Sequence, residues 1–377
     1  MGTTTSALRA FARGASIGLL AIAAAVCVAH GGFAADHGDR LGLVDRAPIR
    51  PHLEVPEGPH APVLAPNDLT TGLLPTTELE VPSHLKLMVF APHPDDETIA
   101  VAGLIQRVRA SGGEVRVVFM TNGDGYLDAV RHTVHRDRTS SADFIAYGQR
   151  RHDEALRALS RLDVNPADAV FLGFPDDGID DLWAGHWSDS NPYTSPYTRF
   201  DRPPYKDSWL RDVEYAGADL KSAVTRALRD FEPNWIVLPD PRDRHPDHCT
   251  TGVFVLDALQ RQQQKTGAPA VKVLAYLVHY PDFPASTSWT KEILGAGVGG
   301  TSTASRQLAG APWLRLPLSS SQQTSKGDAL AAYSSQLEVM RPFLQQFLRS
   351  YELYTELDDK RIAGIPREYA ARFGRNR

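Results

Sequence analysis

Apolar residues in this chain gather into short unbroken runs, separated by stretches with helical spacing. LKLMVFAP, Leu85 to Pro92, is apolar but for one lysine, the pattern of a strand covered on both faces. Glu97 to Ala110 mixes apolar and polar positions at helical spacing, and Ser111-Gly112-Gly113 ends it. EVRVVFMTN, Glu114 to Asn122, is a second apolar strand. Strand, helix and strand in so short a span predict a βαβ unit with parallel strands. The alternation continues with a helix over 147–162 and a strand over 169–174. A helix over 213–230, a strand over 235–239, a helix over 245–263 and a longer strand over 271–280 follow. No internal repeat interrupts the series.

The fold class is therefore α/β: a Rossmann-like open, mostly parallel sheet with helices on both faces and long loop insertions. Two stretches, 175–212 and 281–305, fit no regular element. Pro175 to Asp212 reads as an inserted loop carrying Trp183, His186, Trp187, Tyr193, Tyr197, Phe200 and Trp209. A loop of that length in a compact domain is functional or disordered, and its aromatics argue against disorder. They suit either stacking on sugar rings or a satellite hydrophobic cluster. Pro281 to Ser305, rich in Gly, Ser and Thr, reads as a surface loop, and 325–353 as a C-terminal helical extension kinked or broken at Pro342. Residues 35–84, rich in Pro, His and Asp, read as an arm or linker, which leaves 85–377 as one α/β domain.

The first residues follow another logic. Arg9 and Arg13 precede an apolar stretch from Ala15 to Ala29, and Gly32 and Ala34 offer small residues for a cut after Ala34. This is the layout of a secretory signal peptide over 1–34. The apolar run is about fifteen residues, short of the ~20 that span a bilayer. The expectation is an exported protein, secreted or periplasmic, with no stable membrane span after cleavage; an uncleaved anchor is the alternative. A myristoylation-like Met1-Gly2 with Ser6 and a lipoprotein reading of Cys27 fit less well. With Cys27 removed, Cys249 stands alone and reads as a small buried residue rather than a soft ligand.

A composition of 42% hydrophobic and 23% charged residues allows a real core. The net charge of -5 carries no basic excess, so nucleic acid is not an expected partner. Oligomeric state is not legible.

Two constellations carry the chemistry. His93-Pro94-Asp95-Asp96-Glu97 stands where the first strand gives way to its helix, and Asp243-Arg244-His245-Pro246-Asp247-His248 follows the strand 235–239 and opens another helix. In open α/β sheets ligands bind outside the carboxyl ends of the strands, so both motifs should line one crevice. Imidazole and carboxylate suit zinc or another divalent cation. Three protein ligands with one open position is the usual catalytic arrangement, and His93, Asp96 and His248 fill it. Asp95 and His245 remain as an acid/base pair. No G-x-S-x-G elbow or G-x-G-x-x-G turn points elsewhere.

HPDDE after a strand, followed by HPDH after a later one, resembles the LmbE-like (PIG-L) family of zinc-dependent N-acetylglucosaminyl deacetylases. Thr121-Asn122-Gly123-Asp124, Arg151-His152-Asp153-Glu154 and Phe171 to Asp177 extend the likeness across roughly Leu85 to Tyr280. The resemblance implies zinc on His93, Asp96 and His248, with Asp95 as general base and His245 stabilising the oxyanion. It implies Arg151 and Asp124 against the sugar, and Asp243 and Asp247 orienting the histidines. The implied substrate is an N-acetylated sugar or glycan. Two alternatives stay open: an amidase for another small acylated or thiol-sugar conjugate, and a glycan-binding protein that does not cut.

Overall fold

The computed structural model describes residues 76–266, 271–280 and 312–374. The signal segment, most of the arm and the 281–305 loop lie outside the described residues.

The chain builds strands β1 (Thr76–Glu78), β2 (Lys86–Ala91), β3 (Glu114–Thr121), β4 (Ala169–Phe174), β5 (Trp235–Pro239), β6 (Lys272–Tyr276), β7 (Trp313–Pro317) and β8 (Tyr351–Leu357). Its helices are α1 (Asp96–Ala110), α2 (Leu127–Val134), α3 (Ser141–Arg161), α4 (Ile179–Ala184) and α5 (Gly217–Phe231). They continue with α6 (Pro246–Thr266), α7 (Ser320–Ala331), α8 (Ser334–Gln345) and α9 (Asp359–Phe373). One sheet takes the strands in the order β1-β7-β8-β6-β5-β2-β3-β4. β4, β3, β2, β5 and β6 run parallel, and β8 pairs antiparallel with β6 and β7.

Alternation along β2 explains the two-sided sheet. Successive side chains on a strand point to opposite faces. Leu87, Val89 and Ala91 enter one core with Leu104 and Ile105 of α1 and Leu159 of α3. Met88 and Phe90 enter the other with Leu220 and Val224 of α5 and Val253 and Leu256 of α6. Both sets are fully buried, so the run has no polar alternation to show.

The chain moves outward from β2 through β3 to β4, then returns to the other side of β2 at β5. The crevice at this reversal lies where β2 and β5 deliver their carboxyl ends, and there the two histidine motifs emerge.

Three expectations change. The helical extension over 325–353 is two helices followed by the start of β8. The chain turns between them at Tyr333, and Met340, two residues before Pro342, is non-helical. Pro342 lacks the N–H that would close the turn to residue 338. The last residues of the arm form β1, hydrogen-bonded to β7. The aromatic loop contains α4, and its Trp183 is buried in the second core beside Trp187 and Phe254. Trp187 lies parallel to Phe254 at 6.0 Å, so these two indoles pack against the second core.

Candidate metal centre

His93 leaves the tip of β2, and the turn His93-Pro94-Asp95 leads into α1. His93 N–H donates to Asp96 Oδ2 at 3.0 Å, folding the carboxylate back under the imidazole. His248 reaches the same point from the first turn of α6. Three atoms converge: His93 Nδ1 is 3.4 Å from Asp96 Oδ2, and His248 Nε2 is 3.3 Å from each of them. Ligands bound tetrahedrally at 2.0–2.1 Å sit about 3.4 Å apart, so this triangle fits a zinc-like ion without rearrangement. Two imidazoles and one carboxylate are also the right donors, and all three side chains are buried.

A second grouping, His93, His245 and Asp247, is weaker. Asp247 Oδ2 already accepts the Asp177 N–H at 2.7 Å and faces His93 Nε2 at 3.2 Å, while Oδ1 accepts the Ile179 N–H at 3.0 Å. Its lone pairs are engaged in orienting His93. Asp176 Oδ1 stands 3.0 Å from the same Nε2. With Nε2 held by two carboxylates, Nδ1 is left for an ion, as carboxylate–histidine pairs do at metal sites. Burial disfavours a charged His93, yet Asp176, Asp247 and Asp96 outweigh it and raise its pKa well above the ordinary value.

Asp243 anchors the opposite wall. Its Oδ1 accepts the His245 N–H, and its Oδ2 accepts the N–H groups of Val278 and His279. His248 Nδ1 lies 3.6 Å from Asp243 Oδ2, aimed at it but beyond hydrogen-bond length. His245 Nδ1 accepts the Asp247 N–H at 3.2 Å. Burial, with His93, His279 and His248 nearby, pushes the His245 pKa well below the ordinary value. A neutral imidazole that accepts at Nδ1 carries its hydrogen on Nε2, so His245 presents a donor.

Asp95 sits at the start of α1 with φ 135°, a backbone setting that a side chain rarely adopts. Arg151 Nη2 contacts Asp95 Oδ2 at 3.1 Å and donates to Pro94 O at 2.6 Å, while Nη1 donates to Gly123 O at 2.9 Å. Burial pushes the Asp95 carboxyl up to about 7, against the opposing pull of Arg151. Arg151 thus faces the His93-Pro94-Asp95 turn rather than open solvent, with its two terminal nitrogens on Asp95 and two carbonyls. Gly123 has φ 66°, and a Cβ there would collide with the guanidinium. Asp124 is buried, with Tyr205 donating to its Oδ2 and no partner at Oδ1 among the described residues.

His279 was not singled out in the sequence, and Asp176 entered only within the stretch Phe171 to Asp177, with no role given to it. Both follow the carboxyl ends of parallel strands, β4 and β6, and that position was the available signal. The His279 ring packs 4.8 Å from that of His248 and 5.1 Å from that of His245, and stacks on Phe343. Cys249 is buried and donates to Pro241 O, away from the three ligand atoms.

A doubly wound sheet with two histidines and one carboxylate converging at its switch point defines an α/β protein with a candidate site for a single divalent ion. More particularly, residues 88–259 match the family model described as PIG-L: GlcNAc-PI de-N-acetylase. A 1D-myo-inositol 2-acetamido-2-deoxy-alpha-D-glucopyranoside deacetylase of Mycobacterium sp. (strain KMS) is 31% identical over 180 residues, 47% of this chain and 51% of the relative. The protein of the same name from Nocardia farcinica (strain IFM 10152) is 32% identical over 181 residues, 48% of this chain and 53% of its own. The chain thus spans about half the length of the curated relatives it matches. The solved structure of the conserved protein TT1542 from Thermus thermophilus aligns with 72% of this chain and 94% of its own, at 18% identity and a TM-score of 0.42.

Proposed function

We propose that this protein is a metal-dependent N-deacetylase that hydrolyses the N-acetyl amide of an amino sugar or glycan, releasing acetate. The observation that carries the reading is the triangle of His93, Asp96 and His248 with Asp95 beside it, inside the segment that matches the PIG-L model. The relatives named above act on a 2-acetamido sugar, which supports the substrate class.

His93, Asp96 and His248 would hold the ion, with zinc as the first candidate. When bound, a divalent ion supplies Lewis-acid polarisation and lowers the pKa of water. The protein's own groups do the rest. Arg151 holds Asp95 Oδ2, which leaves Oδ1 to take a proton from the attacking water. The water oxygen bonds to the acetyl carbon, and His245 Nε2–H donates to the oxygen as it becomes negative. The carbon–nitrogen bond breaks as Asp95 returns the proton to the departing nitrogen. The products are acetate and a free amine. Asp243 and Asp247 would keep the imidazoles in register, and Asp124, just beyond β3 with Tyr205 donating to it, would meet the sugar.

The test is acetate release from a panel of N-acetylated amino sugars and glycans, before and after chelation. Release should cease on complete ion removal and return with zinc. Asp95→Asn should retain the ion and lose about 100-fold or more in kcat, the range for a general base. Activity that survives ion removal sinks the mechanism. Turnover restricted to other acyl conjugates would favour the amidase alternative, and saturable glycan binding without turnover would favour a lectin-like role.

Export is part of this reading and rests on the N-terminal sequence. Among the described residues no helix is long and apolar enough to cross a membrane. Mass spectrometry of the N-terminus should find a chain beginning at Ala35; an intact Met1 on exported protein would point to the uncleaved anchor, and full-length protein confined to the cytoplasm would overturn export.

A further inference from the structure

Asp95 is held at φ 135° at the start of α1 without making a side-chain cap of its own helix. Such a backbone setting persists only where the surroundings impose it. Glu97 is the first restraint. Its Oε2 accepts the Asp95 N–H at 3.1 Å, and its Oε1 accepts hydroxyls from Thr98 and Tyr333, each at 2.5 Å. Glu97 is completely buried, so no water replaces a lost donor.

Tyr333 comes from far along the chain, at the turn between α7 and α8, outside the 88–259 segment that carries the family likeness. The residues after it grip the other restraint on Asp95. Ser334 Oγ and Ser335 N–H donate to Glu154 Oε1 at 2.8 and 2.9 Å, and Ser335 Oγ donates to Oε2 at 2.5 Å. Glu154 lies on α3 one turn beyond Arg151, whose guanidinium contacts the Asp95 carboxylate. One short turn therefore braces Asp95 twice, through Glu97 to its backbone and through α3 to its side chain.

We propose that Tyr333 is a positioning residue for Asp95, acting through its hydrogen bond to Glu97. The proposal rests on the reading of Asp95 as the base. The phenol touches no reacting atom. It fixes the carboxylate that fixes the Asp95 N–H, and hence the direction in which Asp95 presents its free oxygen.

The test is Tyr333→Phe in the full-length, ion-loaded protein. This substitution keeps the buried ring and removes one hydroxyl. Acetate release should fall about tenfold in kcat, with KM and ion stoichiometry unchanged, because a small misplacement of a reacting group slows the chemical step without weakening binding. Tyr354→Phe is the control. It removes a phenol that donates to Ala100 O on the same helix, and it should leave kcat unchanged. In a Glu97→Gln background, Tyr333→Phe should add little, since the relay is already broken. Wild-type kcat in Tyr333→Phe, a loss confined to KM or to ion content, or an equal loss in Tyr354→Phe overturns the proposal. A crystal structure of the metal-free Tyr333→Phe protein decides the matter separately from the assigned reaction. Glu97 should swing away, and Asp95 should leave its positive φ or its contact with Arg151. An unmoved Asp95 refutes the positioning role, even if the wild-type protein releases no acetate and the deacetylase reading fails by itself.

Discussion

At Asp124 the fold keeps a carboxyl group almost out of reach of water, with 2% of its surface exposed. Burial pushes its pKa from 3.8 up to about 7, with the nearby Asp176 adding to the rise and the Tyr205 hydroxyl opposing it. The folded value lies above the unfolded one. The group's contribution to stability is therefore fully present below about pH 4 and is lost as pH rises through about 7. Asp124→Asn keeps an acceptor for Tyr205 and cannot titrate. Urea midpoints measured from pH 4 to 8 should show the wild type losing ground to Asp124→Asn across that window. Two parallel curves would mean that the carboxyl is ionised throughout. The same residue shows what composition hides. Asp124 was legible as a polar residue after an apolar strand, but its burial under Tyr205 comes from a loop residue far away in sequence, and no local pattern signals it.

On the scale of elements, α1 is the helix on which the site depends, and the C-terminal elements hold it by its backbone. Lys326 Nζ donates to Ile99 O at 2.8 Å, and Tyr354 donates to Ala100 O at 3.1 Å. Glu352 accepts the N–H groups of Gly103 and Leu104 at 2.8 and 3.1 Å. These are the groups that close the 99–103 and 100–104 turns, so side chains of α7 and β8 stitch into the helix itself. Gly103 is required there, since a Cβ would meet Leu318 and Glu352. Lys326 and Glu352 form a buried pair at 2.8 Å. Removing one partner of such a pair costs about 3–5 kcal/mol. Lys326→Met should sit near the lower end, about 3 kcal/mol, because the N–H groups of Gly103 and Leu104 still serve Glu352. Urea denaturation of the metal-free protein measures it, and a loss below about 1 kcal/mol would place the pair among surface-like ion pairs. This arrangement also explains which elements could be read in advance. β2, β3, β4 and β5 are nearly pure apolar runs because both faces are covered, and they stood out. β8, YELYTEL, carries a buried glutamate satisfied by α1 and α7, so its polar letters concealed a central strand within a stretch of helical spacing. The candidate triad of His93, Asp96 and His248 was legible for a related reason: its residues lie in two short motifs directly after apolar strands. The Glu97–Tyr333 contact joins distant segments and was not.

For the whole molecule the question is whether the segment 88–259, which matches the PIG-L model, is a folding unit. The sheet order argues that it is not. β8 lies between β6 and β7, and β6 in turn pairs with β5, so the last strands close the edge that residues 88–259 leave open. Beyond residue 311, Leu316, Leu318, Leu330, Leu344 and Phe347 enter the core that covers α1. Fully burying side chains of this kind contributes about 1.5–3 kcal/mol each, roughly 10 kcal/mol together. That equals the whole stability of an ordinary domain, about 5–15 kcal/mol. A chain ending at residue 280 should therefore lack a cooperative urea transition and should bind zinc no more tightly than an unfolded chain does. The candidate ligands His93, Asp96 and His248 all remain in it, so retained motifs alone should not rescue the site. Far-UV circular dichroism through a urea titration, read beside zinc affinity, makes the comparison with the full chain. A cooperative transition with tight zinc binding in the shortened chain would show that the parallel strands hold α1 unaided. The brace from Tyr333, Lys326 and Glu352 would then tune a site that already exists. Loss of both would make the C-terminal elements part of the metal centre in the energetic sense, although none of them supplies a ligand.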